Sequence, residues 1–82
     1  MSASPKRVVV WGTGFVGSMV IAEIVEHPNF ELVGVGVSNP AKVGRDVGDL
    51  CGLAAPLGII ATDDVDALIA LRPDALVHYG PT

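Results

Sequence analysis

Runs of apolar residues without alternation mark most of the strands of this chain. Val8-Val9-Val10-Trp11 is such a run, and three of its four residues are β-branched. A continuous run of this length predicts a parallel strand buried on both faces, here over residues 7–11. Over 15–26 the pattern changes period. Val16, Met19, Val20, Ile21, Ile24 and Val25 form a wide stripe with Ser18, Glu23 and Glu26 off it, which predicts an amphipathic helix. His27-Pro28-Asn29 ends that helix, because proline disfavours helical geometry in the residue before it. A second strand is predicted over 30–37. Its Gly34 and Gly36 fall on one face at the period of a strand, where a helix can approach closely. Residues 41–50 read ambiguously, since Gly44 and Gly48 argue against a long regular helix. A short third strand is predicted over 58–61. Thr62-Asp63-Asp64 resembles a helix cap with an acidic first turn, and Val65, Leu68, Ile69 and Leu71 follow at helical spacing. A helix over 63–71 is predicted, stopped by Arg72-Pro73. Ala75-Leu76-Val77 centres a fourth strand over 74–79.

Strands alternating with helices imply right-handed crossovers and a parallel sheet. The expected architecture is an α/β, Rossmann-type doubly wound sheet with strand order 3-2-1-4. In that order the apolar fourth strand is an edge with nothing to cover it, which a domain standing alone usually avoids. Residues 1–82 are therefore expected to be an incomplete domain, the N-terminal part of a longer protein cut after its fourth strand.

Composition narrows the partners. With 82 residues the chain holds one small domain, which buries only about 60% of the surface its unfolded chain exposes. The net charge is −4 and no basic stripe exists, which excludes a nucleic-acid-binding surface of the usual kind. No apolar run approaches the ~20 residues of a membrane helix, and the N-terminus has no signal-peptide pattern. Cys51 is the only cysteine, so no internal disulfide forms, in keeping with a cytoplasmic location. Two scattered histidines and one cysteine offer no metal-site spacing.

The candidate chemistry lies at G-T-G-F-V-G, residues 12–17, between the first strand and the first helix. In this context Gly12 makes a tight turn, Gly14 lets the backbone approach a pyrophosphate, and Gly17 lets the helix pack on the sheet. The bland alternative is a glycine turn that only connects strand to helix. The end of the second strand bears on the choice of dinucleotide. NAD-binding folds often place an acid there for the ribose 2′-hydroxyl, whereas this chain has Ser38 and Asn39, with Lys42 and Arg45 close behind. That favours NADP, with NAD as the alternative. Tyr79 and Gly80 follow the fourth strand, where they either border the ribose or nicotinamide or form an ordinary connection. His27 reads as a surface residue, His78 as a core histidine, Cys51 as buried filling, and Asp63 and Asp64 as helix caps.

Residues 7–17, 27–34, 38–46 and 48–52 together resemble the N-terminal domain of the dihydrodipicolinate-reductase-like oxidoreductases, closest to the 2,4-diaminopentanoate dehydrogenase and amine dehydrogenase branch. The segment 38–52 is more specific than the glycine loop. Dihydrodipicolinate reductases proper usually carry Arg-Met before the third glycine and an acid or arginine after the second strand. Phe15-Val16 and Ser38-Asn39 stand there instead, which points to the amine dehydrogenase branch. The resemblance implies a two-domain NAD(P)-dependent oxidoreductase, with residues 1–82 as an incomplete dinucleotide-binding domain and a second domain holding the substrate, a homodimer in its full-length form, that interconverts a carbonyl compound plus ammonia with an amine. It implies that Gly12, Thr13, Gly14, Phe15, Val16 and Gly17 hold the pyrophosphate, and that Ser38, Asn39 and Lys42 meet the adenosine ribose or its phosphate. The acid/base residue and substrate pocket are expected beyond residue 82, so no catalytic residue is assigned. A dihydrodipicolinate-type imine reductase and a non-catalytic NAD(P)-sensing module are the rival readings.

Overall fold

Six elements follow one another in the computed structural model, which describes residues 5–79: β1 (Lys6–Trp11), α1 (Phe15–Glu26), β2 (Phe30–Gly36), α2 (Val47–Leu50), α3 (Val65–Ala70) and β3 (Ala75–His78). β1 lies between the other strands, parallel to both, in the order β2-β1-β3. Its central position explains the unbroken apolar run, since Val8, Val9 and Val10 are all buried.

The two sheet faces are covered differently. On one, Val8, Val10, Leu32, Val35 and Val37 pack with Ile21 and Ile24 of α1 and with Val47 and Ala61. On the other, Val9 and Gly34 meet α3. A Cβ on Gly34 would lie 2.9 Å from Leu68 Cδ2 and 2.8 Å from Leu71 Cδ1, so the missing side chain is what admits that helix. Gly36, expected to receive a helix on the same face, instead lies under the ring of Trp11, whose Cε3 is 2.0 Å from the position a Cβ would take.

A bulge sets the phase of β2. The register passes from Val8↔Leu32 to Val9↔Gly34, leaving Val33 unpaired. One extra residue turns the side chains that follow to the opposite face, so Leu32 and Val35 both reach the α1 core.

The expected third strand over 58–61 does not form. That segment pairs antiparallel with the loop before it: Val47 N–H donates to Ile59 O, and Ala61 N–H to Arg45 O. Only Thr62 reaches the sheet, through a single parallel bridge to Gly36. The order 3-2-1-4 thus becomes three strands, with the third position marked by one bridge beside β2. The cause is Asp46. Its carboxylate caps α2 from Gly48 N–H and also accepts from Leu57 and Gly58 N–H, at 2.8–2.9 Å. These bonds tie the approach to the segment back onto the 44–47 loop.

The Leu57 N–H, above all, holds the Asp46 carboxyl below its ordinary value of 3.8, helped by Gly48 and Gly58 and opposed by partial desolvation. A depressed folded-state value means stabilisation that is complete above the unfolded value and lost as pH falls through the folded one. Asp46→Ala is expected to lower the unfolding midpoint at neutral pH. The gap to the parent chain should close as the pH is taken below about 4, measured by denaturant unfolding across that range.

α1 has the bounds its periodicity predicts, but its stripe is wider than the face the sheet covers. Gly17, Ile21 and Ile24 are buried, whereas Val16, Met19 and Val25 are exposed. α3 is shorter than the predicted 63–71. Asp64 caps it by accepting from Ala67 N–H, and Thr62 Oγ1 accepts from Asp64 N–H. Past its end Arg72 adopts φ 53°, a left-handed conformation costly to a residue with a Cβ. Arg72→Gly is expected to raise stability by about 0.5–1 kcal/mol, read as a higher urea midpoint.

Candidate functional site

The turn between β1 and α1 is built from glycines with three different jobs. Gly12 has φ 114°, a region that favours glycine, and its N–H donates to Gly36 O at 2.8 Å. Gly17 packs on that turn, where a Cβ would lie 2.3 Å from Gly12 O. Gly14 is the N-cap of α1, in extended geometry, with nothing within 4 Å of where its Cβ would be. No side chain caps this end, and the helical bonding starts with Ser18 N–H donating to Gly14 O. The N–H groups of Phe15, Val16 and Gly17 therefore precede any intrahelical acceptor and carry the positive end of the helix dipole. Ser18 Oγ closes the turn by donating to Thr13 O at 2.8 Å.

Beside the turn lies a cleft of about 150 Å³ at the C-terminal ends of the strands. It brings together Gly12, Thr13 and Gly14 from the turn, Ser38, Asn39 and Lys42 from the loop after β2, and Tyr79 after β3, over Trp11 and Val37. No carboxylate lines it. Lys42 Nζ crosses to the turn and donates to Thr13 Oγ1 at 3.1 Å. Asn39 Oδ1 accepts from Ala41 N–H, shaping the loop. Tyr79 N–H donates to Trp11 O, which seats its residue where β1 and β3 adjoin.

Other expected site residues lie elsewhere. The Phe15 side chain is 83% exposed and borders a separate depression with Cys51. Val16 lines a mainly apolar groove of about 480 Å³ along α1, with Met19 and Phe30. Phe15 and Val16 can serve the cleft only through their backbone N–H groups. Gly17 is buried and does not line the cleft. Gly80 lies outside the described residues. Arg45, weighed beside Lys42, pairs with Asp49 one helical turn on and does not line the cleft.

Two background residues differ from expectation. His78 is exposed, because it lies on β3, an edge strand among the described residues that is little covered along its length. Cys51 is a half-buried free thiol at the margin of the core. His27 is exposed and tilts against Phe30, with ring centroids 4.7 Å apart. Among the described residues, no His, Cys, Asp and Glu side chains group as a metal site requires, and no helix is long and apolar enough to cross a membrane. Neither the Lys42–Thr13 contact, which joins residues 29 positions apart, nor the triple role of Asp46 was expected from the sequence. The Asp-x-Gly spacing of Asp46 and Gly48 was the available sign of a cap.

A central parallel strand running through a glycine turn into an uncapped helix N-terminus defines a Rossmann-type α/β domain. Within that class the chain belongs to the family described as dihydrodipicolinate reductase, N-terminus, whose model matches residues 6–80. It is 53% identical over 70 residues to an amine dehydrogenase of Streptomyces virginiae, covering 85% of this chain and 19% of that protein. It is 38% identical over 82 residues to a 4-hydroxy-tetrahydrodipicolinate reductase of Parvibaculum lavamentivorans, covering 98% of this chain and 30% of that one. Among solved structures, the amine dehydrogenase from Mycobacterium smegmatis superposes with a TM-score of 0.79 at 36% identity, over 89% of this chain and 22% of that chain. The chain thus spans 19–30% of the length of these relatives.

Proposed function

We propose that this chain is the cofactor-holding part of an NADP(H)-dependent oxidoreductase of the amine dehydrogenase type. The reaction would interconvert a carbonyl compound plus ammonia with an amine. One observation carries the reading: the cleft gathers the glycine turn, the loop after β2 and Tyr79 at the switch point between β1 and β3. The residues fit a dinucleotide. The space where Gly14 lacks a Cβ is open, the α1 N-terminus is uncapped, and no acid opposes a phosphate.

In this reading the N–H groups of Gly14, Phe15, Val16 and Gly17 hold the pyrophosphate with the α1 dipole. Ser38, Asn39 and Lys42 meet the adenosine ribose, and the Lys42 charge favours a 2′-phosphate, hence NADP over NAD. Tyr79 and Gly80 border the nicotinamide side. When bound, the nicotinamide supplies hydride transfer. The substrate domain, the acid/base residue and a homodimer interface belong to the rest of a longer cytoplasmic protein. The identity of 53% to an amine dehydrogenase, against 38% to a 4-hydroxy-tetrahydrodipicolinate reductase, favours the amine over the cyclic imine.

The test is oxidation of NADPH and NADH by the longer protein, with ketones in the presence and absence of ammonia. Turnover is expected to need both ketone and ammonia and to be faster with NADPH. Ammonia-independent turnover overturns the amine reading, and faster turnover with NADH overturns the choice of NADP.

A further inference from the structure

We propose that Thr13 is a positioning residue whose hydroxyl holds Lys42 for a 2′-phosphorylated ribose, and so sets cofactor preference. This rests on the NADP reading above and assigns the Thr13 side chain a role separate from pyrophosphate binding. Thr13 is only 7% exposed, and its backbone oxygen is fixed by Ser18 Oγ. Its Oγ1 accepts from Lys42 Nζ across 29 residues of sequence. Lys42 itself is anchored by its N–H donating to Asn39 O, in a turn braced by Asn39 Oδ1.

The chemistry of the acceptor matters. A carboxylate would neutralise the ammonium, as Asp49 does for Arg45. A threonine hydroxyl leaves the full charge and takes one of three protons, so two remain for a phosphate. A free lysine gives up rotamer freedom to hold an anion, and here part of that freedom is already lost in the unliganded chain. The cleft thus has one pre-placed cation, facing no acid among its lining residues.

Calorimetric titration of the longer protein with 2′,5′-ADP and with 5′-AMP, which differ only in the 2′-phosphate, isolates that group from pyrophosphate binding and from hydride chemistry. The parent protein is expected to prefer 2′,5′-ADP. Thr13→Val keeps the shape and removes the acceptor, and should cut that preference about five- to tenfold. Thr13→Ser should keep it within about twofold, because the hydroxyl remains. Thr13→Ala supplies the same reading if the valine variant does not fold. In a Lys42→Met background Thr13→Val should change the preference no further, since the two act as one unit. A preference lost in Lys42→Met yet intact in Thr13→Val overturns this proposal alone. A parent protein with no preference for 2′,5′-ADP overturns the NADP reading and the proposal together.

Discussion

Gly14→Val is expected to weaken dinucleotide binding at least about a hundredfold, some 2.7 kcal/mol, while the protein stays folded. Gly14 has φ −68° and ψ −168°, an extended conformation open to valine. Beyond its own residue and its two chain neighbours, no atom lies within 4 Å of the position its Cβ would occupy, so the folded chain accommodates the side chain. The cost to the fold is that of a poorer N-cap, about 1 kcal/mol or less. The ligand bears the rest. Two extra methyl groups would stand over the first-turn N–H groups and keep a pyrophosphate from bonding to them. NADPH fluorescence titration, with a thermal melt as the control, measures both halves of the prediction. A folded variant with parental affinity would remove the glycine turn from the site.

Gly17→Ala should do the reverse and destabilise the fold itself, by about 3 kcal/mol or more. The new Cβ would lie 2.3 Å from Gly12 O and 2.9 Å from Gly12 C, distances that real contacts do not reach. Gly12 cannot yield easily, since its N–H is bonded to Gly36 O and its φ of 114° is already special. α1 would have to lift away, drawing Ile21 and Ile24 out of the core. Domains typically hold only 5–15 kcal/mol in all, so most of the stability of so short a chain is at stake. Urea unfolding gives the loss directly, and a parental midpoint would mean that α1 can slide without penalty. Two glycines three residues apart in one motif thus answer to different forces, one to a ligand and one to a neighbouring backbone.

Elements whose cause is local are legible in the amino-acid sequence alone. β1 is marked by an unbroken β-branched run and α1 by its period, and Pro28 separates α1 from β2. The glycine turn between β1 and α1 was legible for the same reason, and so were most of the residues that line the cleft, because parallel strands deliver their C-terminal loops to one end of a sheet. Features that depend on distant partners are set by the packing of the folded chain. The bulge at Val33 exists because Leu32 and Val35 must both face α1, which strand period alone does not permit. The predicted third strand gave way to antiparallel pairing with the 44–47 loop, which the Asp46 carboxylate braces by accepting from the Leu57 and Gly58 N–H groups. Lys42 and Arg45 looked alike as nearby cations, yet a threonine claimed one and a carboxylate the other. Local pattern fixes which backbone forms, whereas the partner each charged side chain finds is settled only when segments far apart in the chain are brought within reach of a hydrogen bond.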